Sequence, residues 1–162
     1  MRAKCNVCKR TLIDPVGPLG AEILLVGEFP GWDEIRQGAP FVGRTGDVLR
    51  EELARVGIQY TKCRSTNLWS HEKTNECDID YHIKLLAAEM YNKKYALLMG
   101  SDVSKALLNT GVMNVSGLVV TSPFIPDGMI AVACPNPASL FKGRVGEVRM
   151  AMEKFALQIR GE

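Results

Sequence analysis

The chain has 162 residues, 46% of them hydrophobic and 23% charged, with a formal net charge of +2. This composition suits one globular domain with a real core and excludes a disordered or fibrous chain. It also confines any nucleic-acid surface to a local patch, and no apolar run approaches the roughly 18 residues of a membrane span.

The start, Met1 to Cys5, lacks the apolar core of a signal peptide. With five cysteines in the chain, this points to a reducing, cytoplasmic setting, and to metal-bound or free thiols rather than disulfides. Cys5 and Cys8 form a C-x-x-C pair ahead of the first strand, where two thiolates on one turn can grip a metal or a cluster iron. A redox dithiol normally sits between a strand and a helix, which this pair does not. Residues 9–21, with Pro15, Gly17, Pro18 and Gly20, read as loop.

Ile23 to Val26 is a continuous apolar run, as expected of a strand buried on both faces. It feeds GEFPGWDEIRQGAPFVGRTG, Gly27 to Gly46, with five glycines and two prolines in twenty residues. A strand, a Gly/Pro-rich loop and then a helix is where an open α/β sheet places its ligand site. The plain alternative is a long βα loop without chemistry, although loops of this length are usually functional. Within it Asp33 and Glu34 read as surface carboxylates. Thr45 is the expected cap of a helix beginning near Asp47, with Leu49, Leu53 and Val56 inward and Gly57 at its end.

Ser65 to Trp69 reads as the second strand. Asp78 caps a helix whose stripe is Ile79, Ile83, Leu86 and Met90, and His82 lies off that stripe, as a surface residue would. Tyr95 to Met99 is a third buried strand, and Gly100 and Ser101 open a short helix with Val103, Ala106 and Leu107 inward. Leu118 to Thr121 and Met129 to Ala133 read as strands around a Pro/Gly turn. Val148, Met152, Phe155 and Ile159 mark the last helix. Strands alternating with amphipathic helices make the fold α/β with a mostly parallel sheet.

The order of residues in the first loop, GE-x-PG and then G-x-PFVG-x-x-G, resembles the first motif of the family 4, iron–sulfur type, of the uracil-DNA glycosylase superfamily. The match needs no gap from Gly27 to Leu49. The family has a Thr-Asn pair ending its second strand, and Thr66-Asn67 matches it. Its second motif begins His-Pro. Here the His is Asn136, and the Asn-Pro version resembles the mismatch-specific uracil glycosylases. The resemblance implies a three-layer α/β/α sandwich around a central, mostly parallel four-stranded sheet. It implies one domain over residues 1–162, with a metal-binding segment at about residues 1–20.

The same resemblance implies site residues. Glu28 corresponds to the carboxylate that orients water or stabilises a cationic sugar. Asn136 stands as its catalytic partner, able to give a neutral hydrogen bond but not an imidazole. Gly27, Phe29, Phe41 and Asn67 fall in the base pocket, with Phe41 stacking and Asn67 reading the pyrimidine edge. Ser139, Leu140, Lys142 and Arg144 fall on the DNA-contacting loop, with Leu140 or Phe141 as a wedge. The third cluster cysteine of the family stands where this chain has His71, and Cys77 fits the fourth, across a shortened loop. Cys5, Cys8, His71 and Cys77 thus form a ligand set for a [4Fe–4S] cluster, with structural zinc as the alternative and Cys63 as a rival third ligand.

The implied partner is DNA, single- or double-stranded, with uracil or a modified pyrimidine, bound by a monomer with no membrane contact. Three functions remain open on these residues: a uracil-DNA glycosylase acting in base excision repair, a non-catalytic DNA-binding relative, and an enzyme for a modified pyrimidine.

Overall fold

Two strongly apolar runs of the chain lie side by side at the centre of a sheet. In the computed structural model, which describes residues 2–162, these are β1 (Ile23–Gly27) and β3 (Tyr95–Met99). β2 (Arg64–Asn67) flanks β1, and β5 (Ile130–Cys134) flanks β3. A two-residue strand, β4 (Val119–Val120), closes the far edge antiparallel to β5. The order is β2-β1-β3-β5-β4, with the first four strands parallel. The sheet therefore has five strands and not the expected four. The fifth is short and antiparallel because the turn before β5 returns the chain beside it, a hairpin-like pairing that a parallel crossover cannot make.

Five helices cover the sheet: α1 (Trp32–Gln37), α2 (Arg44–Arg55), α3 (Ile79–Met90), α4 (Ser101–Leu108) and α5 (Val145–Ile159). Alternate strand residues point to opposite faces. Leu24, Val26, Ala96 and Leu98 pack on Leu86 and Met90 of α3 and on Val103 and Leu107 of α4. Leu25, Leu97, Met99 and Val132 pack on Leu49 and Leu53 of α2 and on Met152 and Phe155 of α5. The result is a three-layer α/β/α sandwich. A buried Glu52 on α2 accepts two hydrogen bonds from Arg149 on α5, at 3.1 and 3.3 Å, and clasps the second pair of helices.

The N-terminal segment is tied to the sheet edge. Lys4 and Thr11 form an antiparallel bridge, Val16 bridges to Ser65, and the Ile13 N–H donates to the Ser70 carbonyl at 2.6 Å. Chain order places β2 on one side of β1 and β3 on the other. The connections that leave β1 and β3 run to opposite faces of the sheet, to α2 and α4, which opens a crevice at the switch point.

Several local expectations change. The first loop contains α1, one and a half turns long. α2 begins at Arg44 behind a Gly43 cap, so Thr45 lies inside the helix and does not cap it. His82 is wholly buried, not on the surface. It shares the i, i+4, i+8 stripe of Leu86 and Met90, and that face of α3 is covered by the segment after β2. Asp78 does cap α3, accepting from the Asp80 N–H at 2.9 Å.

Cys63 lies in the α2–α5 core with its thiol against the Gln59 carbonyl. Burial pushes it up to about 11, and pushes the fully buried Cys134 higher still. Both thiols therefore stay protonated near neutral pH, and thiolate is the reactive form. Native protein treated with iodoacetamide at about pH 8 should carry no label on Cys63 or Cys134 by peptide mass spectrometry, while denatured protein should carry both. Label on Cys63 in folded protein would contradict its place in the core.

Candidate active site and metal group

β1 ends at Gly27, which sits in register beside Asn67 at the end of β2. A Cβ at Gly27 would collide with the Asn67 side-chain oxygen and the Phe41 ring, so only glycine lets both close on the strand end. Phe41 has a left-handed backbone, φ 55, an uncommon state for a bulky residue. Its carbonyl accepts from Arg50 Nη1 at 2.6 Å, which holds the turn. The ring belongs both to the α2–α5 core and to the wall of a cavity of about 270 Å³. Gly27, Glu28, Phe29, Phe41, Asn67 and Asn136 line that cavity. Asn67 is nine-tenths buried, and among the described residues its side-chain amide makes no hydrogen bond to protein.

Glu28, the next residue, is held on both oxygens, by groups that follow the neighbouring strand β3 and the next one, β5. The Asp102 N–H, in the first turn of α4, donates to Oε2 at 2.8 Å, and Asn136 Nδ2 donates to Oε1 at 2.6 Å. A helix start aimed at a carboxylate is a favourable dipole arrangement. Gly100, at φ 106, makes the approach possible, since a Cβ there would strike the Glu28 carboxyl. The other end of the Asn136 amide is also engaged. Its Oδ1 accepts from the Ala138 N–H at 2.9 Å and caps the short 3-10 helix Pro137–Lys142. Asn136 thus first orients Glu28, and one of its two amide hydrogens is left for a ligand.

Glu34 departs from the expected surface role. Its Oε2 accepts from the Val42 and Gly43 N–H groups at 2.9 and 2.7 Å, and its Oε1 accepts from Gly31 N–H at 3.1 Å. It braces both halves of the glycine-rich loop around the cavity. The signal in the sequence is half of a capping box: Glu34, three residues after the N-cap Gly31, reaches back to its N–H, while Gly31 has no side chain to return the bond. Asp33 stays outside, paired with Arg36.

A second cavity, of about 390 Å³, opens on the other side of Glu28 and Asn136, lined by Ser101, Pro135, Ser139, Lys142 and Arg144 among others. Leu140 packs partly on the α2–α5 core, whereas Phe141 is exposed, with the Arg44 guanidinium 3.8 Å from its ring centre.

On the far side of β2, Cys5, Cys8, His71 and Cys77 converge, with their donor atoms all within 4.8 Å of one another. Cys5 and Cys77 are 3.6 Å apart at sulfur, and Cys8 Sγ is 3.2 Å from His71 Nε2. A tight turn, closed by Cys5 N–H to the Arg10 carbonyl at 2.8 Å, presents the first two thiols. Burial works against ionisation of Cys8, but hydrogen bonds from Arg10, Cys77 and Cys5 outweigh it and bring the thiol down to about 7. Burial and the neighbouring Cys5 and Cys8 push Cys77 up to about 12 in the metal-free protein. Cys63 is not in the group. It sits before β2 on the opposite face of the sheet, in the α2–α5 core. The group is chemically a Cys₃His donor set that could hold a metal ion.

The loop between His71 and Cys77 also touches the cavity. Lys73 Nζ pairs with Asp102 at 2.8 Å and lies 5.7 Å from the centre of the Phe29 ring. Asp102 is the residue whose N–H holds Glu28.

Among known families, the uracil DNA glycosylase superfamily matches residues 15–158. The type-4 uracil-DNA glycosylase of Thermotoga maritima is 26% identical over 161 residues, covering 90% of this chain and 82% of its own. That of Archaeoglobus fulgidus is 39% identical over 77 residues, 46% of this chain and 39% of its own. That of Pyrobaculum aerophilum is 32% identical over 76 residues, 39% of each chain. The matched part of this chain thus spans well under half the length of two of these relatives and most of the third.

Substituting Gly100 tests the geometry around Glu28. Gly100→Ala combines a left-handed backbone with a collision at the carboxyl, and should cost about 1–3 kcal/mol of stability. Thermal melting reads this directly, and an unchanged melting temperature would mean Glu28 is not packed on the α4 start.

Proposed function

The chain belongs to the uracil-DNA glycosylase superfamily, and on that premise we propose that it hydrolyses the N-glycosidic bond of uracil or a related pyrimidine in DNA. The observation that carries this reading is one cavity at the switch point of the sheet, in which a doubly held Glu28 faces the ring of Phe41 and the unengaged amide of Asn67. The relatives named above carry uracil-DNA glycosylase in their names.

The reacting atoms are inaccessible in a stacked helix, so the nucleotide must swing out. The base then stacks on Phe41, and Asn67 gives a donor and an acceptor to its O4 and N3–H edge. Gly27 leaves the strand end bare enough for this close approach. Glu28 retains acceptor capacity on each oxygen beside its two fixed hydrogen bonds. It orients a water under the sugar carbon and faces the positive charge that develops there. The departing base is an anion, and loop N–H groups and the remaining amide hydrogen of Asn136 are the donors for it. Loss of the base leaves an abasic site, the starting point of base excision repair.

DNA lies across the second cavity, with Lys142, Arg144 and Ser139 on phosphates and Phe141, backed by Arg44, as the wedge. The Cys₃His group is structural: it ties the N-terminal segment and the Lys73 loop to the sheet. The family resemblance implies an iron–sulfur cluster on these four residues, and the donor set also suits zinc.

A second reading rests on Asn136. An amide replaces an imidazole there, and its nitrogen is given to Glu28. This favours a slower enzyme or one for a modified pyrimidine.

Purified protein should release uracil from an oligonucleotide and leave an alkali-labile site, with Glu28→Gln slower by about tenfold to a thousandfold. If wild-type protein in excess binds the oligonucleotide but cuts neither strand context, the DNA-binding reading replaces the enzyme. For the interface, the Lys142→Ala, Arg144→Ala double variant should flatten log affinity against log salt by about one unit per lost phosphate contact. An unchanged slope would place the DNA on another face.

A further inference from the structure

We propose that Cys5, Cys8, His71 and Cys77 hold one tetrahedral ion of the zinc class and not a four-iron cluster, with His82 as a positioning residue that donates its Nε2–H to the Cys77 thiolate. The inference rests on reading these four side chains as a metal site and is independent of the glycosylase activity.

The spacing carries the first half. Zinc–thiolate bonds of about 2.3 Å at tetrahedral angles put two sulfurs about 3.8 Å apart. Cys5 and Cys77 are 3.6 Å apart, and the donor atoms of the whole set lie within 4.8 Å. In a cubane cluster each ligand sits outside a different iron, with sulfides between, so the four ligands stand further apart than ligands sharing one ion. On the His71 side the surroundings are packed. The wholly buried His82 ring lies edge-on to His71, with centroids 4.4 Å apart, and is backed by Trp69 at 4.8 Å. Only five residues separate His71 from Cys77.

The hydrogen bonds of the two imidazoles carry the second half. His71 Nδ1 lies 2.7 Å from the Glu72 carbonyl, which can only accept, so Nδ1 carries the proton and Nε2 is the bare, ligating nitrogen. At His82 the pattern is reversed. Its Nδ1 lies 3.1 Å from the Ser70 N–H, which can only donate, so in the neutral ring Nε2 carries the proton. That nitrogen is 3.5 Å from Cys77 Sγ and 3.0 Å from His71 Nε2. Once an ion takes the His71 lone pair, the Cys77 thiolate is the remaining acceptor. His82 is therefore not a fifth ligand. It is the outer-shell donor that fixes one thiolate of the site.

The test uses the full chain, made in medium supplied with both iron and zinc and purified without oxygen. Metal and acid-labile sulfide are then counted. About one zinc per chain, no sulfide and a colourless solution are expected. Iron and sulfide in near-equal amounts with brown absorption, or folded protein with no metal, would overturn the proposal. For His82, chelator competition should find zinc held about 10–100-fold more weakly in His82→Phe. His82→Gln, which keeps an N–H donor, should recover part of the loss. The tautomer is read in zinc-loaded wild-type protein by ¹⁵N NMR, so the assignment does not depend on a variant folding. A proton on Nε2 of His82 supports it, and a proton on Nδ1, or unchanged affinity in His82→Phe, refutes it. None of these readouts involves base excision, so failure of the proposed activity would leave the metal assignment standing, and the reverse.

Discussion

The carboxylate of Glu28 is the point on which this structure closes. Its two oxygens take hydrogen bonds from the α4 start and from Asn136, which follow β3 and β5. The side chain itself leaves the end of β1. Three parallel strands are therefore joined at their carboxyl ends by one ion. The requirement propagates outward. Gly100 must lack a side chain, Asn136 must both cap a 3-10 helix and reach back, and the α4 amide must point at the crevice. A parallel sheet makes this economical, because all its carboxyl ends lie on one edge.

Around that point the protein uses braces made of single side chains. Glu34 gathers three backbone N–H groups of the glycine-rich loop, a segment with few apolar contacts of its own. Arg50 holds the strained turn at Phe41. Unpaired N–H groups near a cavity are costly to bury, and a carboxylate that takes several at once stabilises the loop without filling the cavity. Phe41 shows the same economy, since its ring serves the core on one side and the cavity on the other.

The Cys₃His group extends the framework to the N-terminal segment. Among its described residues the N-terminal segment up to Ile13 buries only Cys5, Leu12 and Ile13 of its apolar side chains, too little to order it by packing alone. On the proposed metal reading, two donors that precede β1 and two that follow β2 supply the missing constraint. Through Lys73 and Asp102 the same loop reaches the residue that holds Glu28. This gives the N-terminal segment a physical route to the cavity.

Much of this was legible in the residues alone. Apolar runs and helical stripes located β1, β3, β5 and α2 to α5, because burial on one or two faces leaves a periodic record, whereas β2, Arg64–Asn67, carries no apolar run. The ungapped Gly27-to-Leu49 motif singled out Glu28 and Phe41; Cys5 and Cys8 stood out as a C-x-x-C pair, and the family resemblance added His71 and Cys77 to it. Periodicity carries no information about partners distant in the chain. Asn67 and Asn136 could be named, but only the tertiary structure decided that Asn67 lies unengaged on the cavity while Asn136 is committed to Glu28. It likewise decided that His82 is buried beside the metal group, that Glu34 braces the loop, and that Cys63 faces the wrong core. Each of these depends on which polar side chains meet across the fold, and that is set by strand order and packing, not by local pattern.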